Sequence, residues 1–312
     1  MCNGPIILSR WGRFALENWQ ENVMTERSSA TALYPDHRSY WNAKADDEAG
    51  REARDPRKRV HTDLHWRQVR RSLPGVRRIL DAGGGSGRFS LPLAAEGYDV
   101  VHLDLSPEML AQARQAAEAR GLETITFVEG AVADLSCFDD DSFDLVLCFD
   151  APISFSYPQH DQALAELVRV TRRGLVVSVM NRLSHLPVWI EGDITFIGRF
   201  HTAPRLLEEG VCEPDDVVLS VFPQMIPAIY AYHPEEIRAQ LESLGCTVLH
   251  MSAPGGLARL ISDEVMAKIA SDEALYTEFL ELAITFSDSY YTLGVAAATA
   301  GSLLITARKR EL

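Results

Sequence analysis

The sequence predicts an α/β fold: a mostly parallel sheet with helices on both faces. Three observations carry this expectation. Short aliphatic segments alternate with helical ones from residue 76 to residue 182. The aliphatic segments are apolar at nearly every position, as strands covered on both faces are. The joints between them hold turn and cap residues where a helix has to start or stop.

The elements follow in order. Residues 1–60 are mixed in character, with an aromatic pair at Tyr40–Trp41. In "KRVHTDLHWRQVRRSL", Val60, Leu64 and Val69 recur at helical spacing, and Pro74-Gly75 closes the segment. "VRRILDA" reads as a strand, "RFSLPLAAEG" as a helix stopping at Gly97, and "YDVVHLDLS" as the next strand. In "SPEMLAQARQAAEARG", Ser106 suits the cap, Pro107 the first turn and Gly121 the end. "TITFVEG" and "SFDLVLCFD" are strands, "QHDQALAELVRVTRRG" is helical, and "LVVSVMNR" is a buried-type strand. The rhythm breaks after Arg182. Residues 183–232 are rich in prolines and aromatics; then come a helix ("HPEEIRAQLESLG"), a strand ("CTVLHMSAP"), a long helical stretch over 262–287 and a final strand ("GSLLITARK").

Composition bounds the function. The chain has 312 residues, 46% of them hydrophobic and 24% charged, which is ordinary for a globular protein with a substantial core. The five cysteines are scattered and form no C-x-x-C pair, so neither a disulfide framework nor a zinc site is expected, and no other metal is. No apolar run reaches the ~20 residues of a membrane span, and the N-terminus lacks a secretory apolar region, so the expected location is the cytoplasm with no membrane partner. The formal charge of −14 argues against broad affinity for nucleic acid. Residues 51–80 are the exception, with ten Lys/Arg against Glu52, Asp55 and Asp63.

The stretch "LDAGGGSG" carries the chemistry. A strand that runs into a glycine-rich turn and then a helix brings free backbone N–H groups to the carboxyl edge of a parallel sheet, where ligands bind. A phosphate-binding P-loop would need Lys-Ser/Thr where Arg88-Phe89 stand, and a dinucleotide fingerprint would need glycine or alanine at Arg88. A carboxylate at Asp81 repels a diphosphate but suits an ammonium or sulfonium. Asp104 follows 23 residues later at the end of the next strand, where a carboxylate can accept both hydroxyls of a ribose.

The spacing Asp81-x-Gly83-x-Gly85-x-Gly87 resembles motif I of the class I S-adenosylmethionine-dependent methyltransferases, and "DLSPEML" after Asp104 is similar to that family's usual continuation. The resemblance covers residues 76–182 and returns in "DSYYTLGVAAATAGSLLITARK". It implies a Rossmann-like seven-stranded, mostly parallel sheet with helices on both faces, an N-terminal helical extension and an insertion after strand 5. The corresponding division is 1–60 (lid or extension), 61–182 (cofactor-binding core), 183–232 (substrate-side insertion) and 233–312 (the rest of the same domain). The implied cofactor is S-adenosylmethionine, leaving as S-adenosylhomocysteine. Its site would take Asp81, Gly83, Gly84, Gly85 and Gly87 around the methionine tail, and Asp104 and Leu105 at the ribose. Ala131 and Val132 would lie at the adenine, with Cys148 and Phe149 on the strand facing the acceptor. Where the family often has an acidic residue, this chain has Ala131, so the adenine contact falls to backbone near Val132, to Asp134, or to neither.

Such a site performs an in-line displacement at a methyl group, so the protein mainly aligns the nucleophile and excludes water. A base is needed only for a protonated acceptor. The leading candidates are Asp150 and His185, followed by His160, His201, Tyr157 and Tyr232. Tyr40 and Trp41 are candidates for a lid, and His61 or Arg59 for the cofactor carboxylate. The aromatics of 183–232 (Trp189, Phe196, Phe200, Phe222, Tyr230, Tyr232), with Met225, suit an apolar acceptor pocket, a homodimer contact or an extra packing layer. The leading acceptor is a small organic metabolite. A tRNA nucleoside is the alternative that the basic stretch favours, although "DAPI" replaces the N/D-P-P-Y/F/W tetrapeptide that accompanies base amine methylation. A nicotinamide-dependent oxidoreductase and a non-catalytic cofactor-binding protein are the remaining readings.

Overall fold

The computed structural model of the chain describes residues 36–221, 225, 227–289 and 300–310. Residues 1–35, Phe222 and most of "YYTLGVAAATA" therefore lie outside the described residues, and so do the expectations placed on them.

Nine strands are described: β1 (Arg78–Ala82), β2 (Asp99–Asp104), β3 (Ile125–Glu129), β4 (Phe143–Cys148), β5 (Thr171–Met180), β6 (Val211–Cys212), β7 (Ile229–Tyr230), β8 (Cys246–Ser252) and β9 (Ser302–Lys309). Seven of them form one sheet in the order β3-β2-β1-β4-β5-β9-β8. The first five run parallel, with Ile79 opposite Val100 and Leu145. β9 inserts antiparallel between β5 and β8. The chain reverses direction across the sheet between β3 and β4, which opens a crevice at the carboxyl ends of β1 and β4.

Both faces are covered. On one, Leu80, Val101, Val146 and Val177 pack with Leu164 and Leu167 of the helix His160–Val170 and with Ile237 of the helix Pro234–Ser243. On the other, Ile79, Val100, Leu145 and Val176 pack with Val69 of the helix Pro56–Ser72 and with Leu93 of the helix Ser90–Ala95. Alternate positions of one strand thus feed two cores, which is why the strands read as continuously apolar. The helix Pro107–Ala119 has the expected cap: Ser106 Oγ accepts from the N–H of Met109 at 3.1 Å.

Three boundaries differ from the sequence reading. The helix before β5 ends at Val170, and "TRRG" begins the strand. The stretch 262–287 is two helices, Asp263–Ala270 and Glu273–Ser289, because Asp272 caps the second through the N–H groups of Ala274 and Leu275. The helix Pro56–Ser72 passes through residue 60, so the extension and the core share it. Short helices over His37–Ala43, Ala45–Ala49 and Arg51–Arg54 lie ahead of it. They are tied to the sheet's carboxyl edge where Ser106 Oγ donates to Asn42 at 2.7 Å. No helix of the described residues is long and apolar enough to cross a membrane.

Candidate functional site

A cavity of 740 Å³ opens at the carboxyl ends of the strands. Of the residues expected at a cofactor, Asp81, Gly83, Gly84, Gly85, Asp104, Leu105, Ala131, Val132 and Phe149 line it. Gly87 and Cys148 are not on its wall. Gly87 has a positive φ of 90° and serves the turn, where an added Cβ would meet Leu91 at 2.7 Å. Cys148 is fully buried and points to the core that holds Val146, while Leu147 and Phe149 take the opposite face. The two-residue period of the strand decides this. Burial pushes the Cys148 thiol up, so it is not a nucleophile.

The glycines are bare for different reasons. A Cβ on Gly83 would strike Pro152, and one on Gly84 would come within 2.5 Å of the His102 ring. Those two positions are emptied by protein packing rather than by a ligand. At Gly85 (φ 57°) the nearest atom to an added Cβ is Met109 Sδ at 3.9 Å, so that position faces the open cavity. Gly85→Ala is therefore expected to weaken a bound cofactor by about tenfold or more, while left-handed backbone costs the fold about 1–2 kcal/mol. Titration and thermal melting of the same variant check both numbers.

Two carboxylates are set into the wall. Asp81 is buried and accepts from Ser90 Oγ, which also meets His102 Nδ1 at 2.6 Å. Burial raises the Asp81 pKa to about 6 in spite of Ser90, and the Asp104 charge adds to the rise. Asp104 accepts from Gly85 N and Ser106 N, both at 2.8 Å. Burial raises its pKa too, against those backbone bonds. Each Asp104 oxygen keeps a lone pair for a further donor. This donor set fits a ribose with an amino-acid tail: two oriented acceptors, a second buried carboxylate and an open glycine between them. At the adenine position Asp134 is exposed and caps Ser136, which leaves the Gly130–Val132 backbone on the wall.

Beyond these lies a charged rim that the sequence did not reveal. Asp150 and Ala151, right after β4, both adopt left-handed backbone (φ 61° and 68°), costly for residues with a side chain. The turn is held by Asp150 N donating to Ser178 Oγ at 2.9 Å, and Pro152 seats on Gly83. Asp150 receives Arg51 at 2.9 Å and Arg88 at 2.7 Å. Arg51 also meets Glu48, and Arg88 meets both Glu48 and Glu52. Burial opposes the Asp150 charge, yet Arg51 and Arg88, aided by His61 and His65, outweigh it and hold the pKa well below the usual carboxylate range. A carboxylate so stabilised takes up protons poorly, which speaks against Asp150 as the base.

His185 differs. Its Nδ1 lies 2.9 Å from the carbonyl of Asn181, the residue that caps the helix Arg182–Gly192. That bond needs the proton on Nδ1, which leaves Nε2 as an acceptor. Burial lowers the pKa to about 4, so the ring is neutral at pH 7. His185 lines the cavity; among the other base candidates His160, His201, Tyr157 and Tyr232 do not. His160 stacks on Tyr230 with centroids 3.9 Å apart, and His201 pairs with Asp215 at 2.8 Å. Trp41 is on the wall, edge-on to Phe155, whereas Tyr40 is not. His61 is on the wall, but Arg59 turns outward to Glu273 and Tyr276. Trp189 and Met225 pack on Leu206, Cys212 and Ile229, and Phe200 is exposed; none of the three lines the cavity.

Residues 79–174 match a family model described as a methyltransferase domain. An uncharacterized protein of Mycobacterium tuberculosis is 42% identical over 108 residues, 35% of this chain and 38% of that protein. The tRNA 5-carboxymethoxyuridine methyltransferase of Escherichia coli is 34% identical over 125 residues, 38% of this chain and 47% of that one. The chain thus covers less than half the length of these curated relatives. Among solved structures, the magnesium protoporphyrin IX methyltransferase of Synechocystis, with bound S-adenosylhomocysteine, aligns with a TM-score of 0.52 at 19% identity over 88% of this chain and 97% of that one. An S-adenosylmethionine-dependent methyltransferase of Mesorhizobium loti aligns at 0.50 and 22% identity, over 78% and 97%. At these identities the two structures establish the fold.

Proposed function

We propose that this chain is a class I S-adenosylmethionine-dependent methyltransferase that transfers a methyl group from S-adenosylmethionine to a small organic acceptor. The observation that carries the reading is one wall on which Asp81, Gly85 and Asp104 converge at the ends of β1 and β2. When bound, the cofactor supplies a methyl group made electrophilic by its sulfonium. Asp81 holds the ammonium of the tail, Asp104 accepts from the ribose hydroxyls, and Leu105, Met109 and Val132 give the adenine an apolar seat. Trp41 and Phe155 exclude water, which strengthens every polar contact inside. Where the acceptor must lose a proton, His185 Nε2 on the cavity wall is the group placed to accept it, as a base weakened by burial.

The tRNA alternative draws support from the E. coli relative. The distribution of the basic stretch speaks against it. Arg51, Arg57, Arg59, Arg67, Arg70 and Arg78 all sit in ion pairs within the chain. Arg71 and Arg77 flank the start of β1, the opposite edge of the sheet from the cavity.

Calorimetric titration with S-adenosylmethionine, S-adenosylhomocysteine and NAD tests the cofactor. Micromolar binding of the first two alone is the expected result; binding of NAD alone would overturn the reading. The pH dependence gives a second check. A cationic tail prefers ionised Asp81, whose pKa in the free protein is about 6. Affinity is therefore full above pH 6 and falls about tenfold per unit below it, until the lower pKa of the complex is reached. A flat affinity between pH 7 and pH 5 would remove Asp81 from the tail site.

A further inference from the structure

Behind Asp81 a chain of two polar side chains runs into the core. Ser90 Oγ donates to Asp81 Oδ2, and the same Oγ lies 2.6 Å from His102 Nδ1. Asp81 is buried, and Ser90 and His102 are wholly so. The other ring nitrogen, His102 Nε2, has no hydrogen-bond partner among the described residues. The ring fills the space that a side chain at residue 84 would take: a Cβ on Gly84 would meet Nδ1 at 2.5 Å and Asp81 Oδ2 at 3.0 Å. Phe127 packs against the ring with centroids 5.3 Å apart. Two polar side chains thus stand in a place that apolar ones could fill at less cost.

The protons follow from counting. A hydroxyl has one proton to give, and Ser90 has two polar neighbours. With Asp81 ionised, Ser90 donates to Oδ2 and accepts from Nδ1–H, and the one bare group left is the Nε2 lone pair. With a proton on Oδ2, the carboxyl donates to Ser90, whose own proton must turn to Nδ1. His102 must then carry its proton on Nε2, a buried N–H without an acceptor, which proteins tolerate least. Burial keeps the ring neutral, its pKa pulled down to about 4, so it holds a single proton at pH 7. The chain is therefore matched to the Asp81 carboxylate and mismatched to its acid.

The geometry points to Ser90 and His102 as positioning residues for the amino end of the cofactor: His102 aims the Ser90 hydroxyl, and Ser90 keeps Asp81 an anion on the cavity wall. The inference rests on the methyl-transfer reading for the identity of the ligand, and on the chain's own hydrogen bonds for the relay. The other groups that act on Asp81 are Asp104 at the end of β2, which opposes its charge, and Arg88 of the glycine loop, which favours it. The Cys148 thiol of β4 is also near and stays neutral, and Arg114 of the helix Pro107–Ala119 acts on His102. The substitutions below leave all four in place.

The test follows S-adenosylhomocysteine binding by the full chain from pH 5 to pH 8. In the wild type, affinity reaches half its plateau near the free Asp81 pKa of about 6. Ser90→Ala removes a hydrogen bond to the charged form, so that midpoint should move up by about one pH unit. Wild type and variant should then differ about fivefold at pH 6 and converge by pH 8, whereas a variant damaged only in its fold binds weakly throughout. His102→Phe fills much of the ring's space without the Nδ1 proton and should move the midpoint the same way. His102→Asn, whose amide can donate from the place of Nδ1, should restore it. Carbon-13 titration of the Asp81 carboxyl, assigned with Asp81→Asn, reads the same midpoint without a ligand, and nitrogen-15 shifts give the His102 tautomer. The expected results are a carboxyl midpoint raised in Ser90→Ala and a proton on Nδ1. A carboxyl midpoint unmoved by Ser90→Ala, or a neutral ring protonated on Nε2, overturns the proposal. So does a carboxyl midpoint that moves while the binding midpoint stays, since Asp81 would then not serve the amino end. If the carboxyl midpoint moves but S-adenosylhomocysteine binds at no pH, the methyl-transfer reading falls and the relay stands.

Discussion

Asp104→Ala is expected to raise the Kd for S-adenosylhomocysteine by at least about 100-fold, the largest effect of any single substitution at the cofactor wall. The magnitude follows from what the carboxylate does. Hydrogen bonds to a charged group contribute about 1.5–3 kcal/mol each, and two ribose hydroxyls depend on this one acceptor. The buried carboxylate is already oriented by Gly85 N and Ser106 N, so no ordering cost is left to the ligand. Those same bonds complicate the alanine variant, because it also frees the glycine loop. Asp104→Asn separates the two roles. Its amide oxygen can keep one backbone donor while its NH₂ turns a donor toward a hydroxyl. Affinity should therefore fall by about 10-fold or more, while the one backbone N–H left without an acceptor costs the fold about 1–3 kcal/mol, less than the alanine variant that loses both. Calorimetry and melting of both variants check this. An asparagine variant that binds like wild type would mean the ribose is held elsewhere.

Much of this wall was legible in the sequence. Asp81 and Asp104 were readable because each ends a strand next to a turn, so local pattern and function coincide. Other features depended on the third dimension. The bareness of Gly83 and Gly84 invited a ligand explanation, but Pro152 and His102 fill those spaces. Nothing local links residue 83 to residue 152. Cys148 was misplaced by one step of the strand period, which sends it into the core while Phe149 reaches the cavity. The aromatics of the insertion suited a pocket, a dimer contact or a packing layer alike, because aromatics pack layers as readily as they line sites; only their neighbours, such as Leu206 and Cys212 beside Trp189, tell these apart. The basic stretch was visible as composition only. Its partners, among them Glu96, Asp150, Asp263, Glu273 and Asp288, are scattered over the chain, so neutralisation could not be read from neighbouring residues.

The Asp150 cluster carries the second large prediction. It holds three carboxylates (Glu48, Glu52, Asp150) around two guanidiniums (Arg51, Arg88), a balance of −1. Arg51→Met changes it to −2 and removes the cation closest to full burial, whose side chain is 9% exposed. Breaking a buried pair from one side costs about 3–5 kcal/mol, but Asp150 keeps Arg88 and some solvent here, which reduces the expected loss to about 2–3 kcal/mol. For a chain of this size that is a fall in Tm of about 4–9 °C. Adding Asp150→Asn returns the balance to −1, so the double variant should recover more than half of the loss despite the deletion of two native groups. The pH course has a definite sign. Asp150 has a folded pKa below its ordinary 3.8, so its contribution is present above that value and disappears as pH falls through the lower folded pKa. The gap in Tm between wild type and Arg51→Met should thus be full at pH 7 and shrink in strong acid. The cluster also joins the helices before residue 55 to Arg88 at the end of the glycine loop, so Arg51→Met should loosen the cover over the cavity and weaken S-adenosylhomocysteine. If the single variant melts like wild type and the double variant is the less stable one, the charges act independently and the cluster does not fasten that cover.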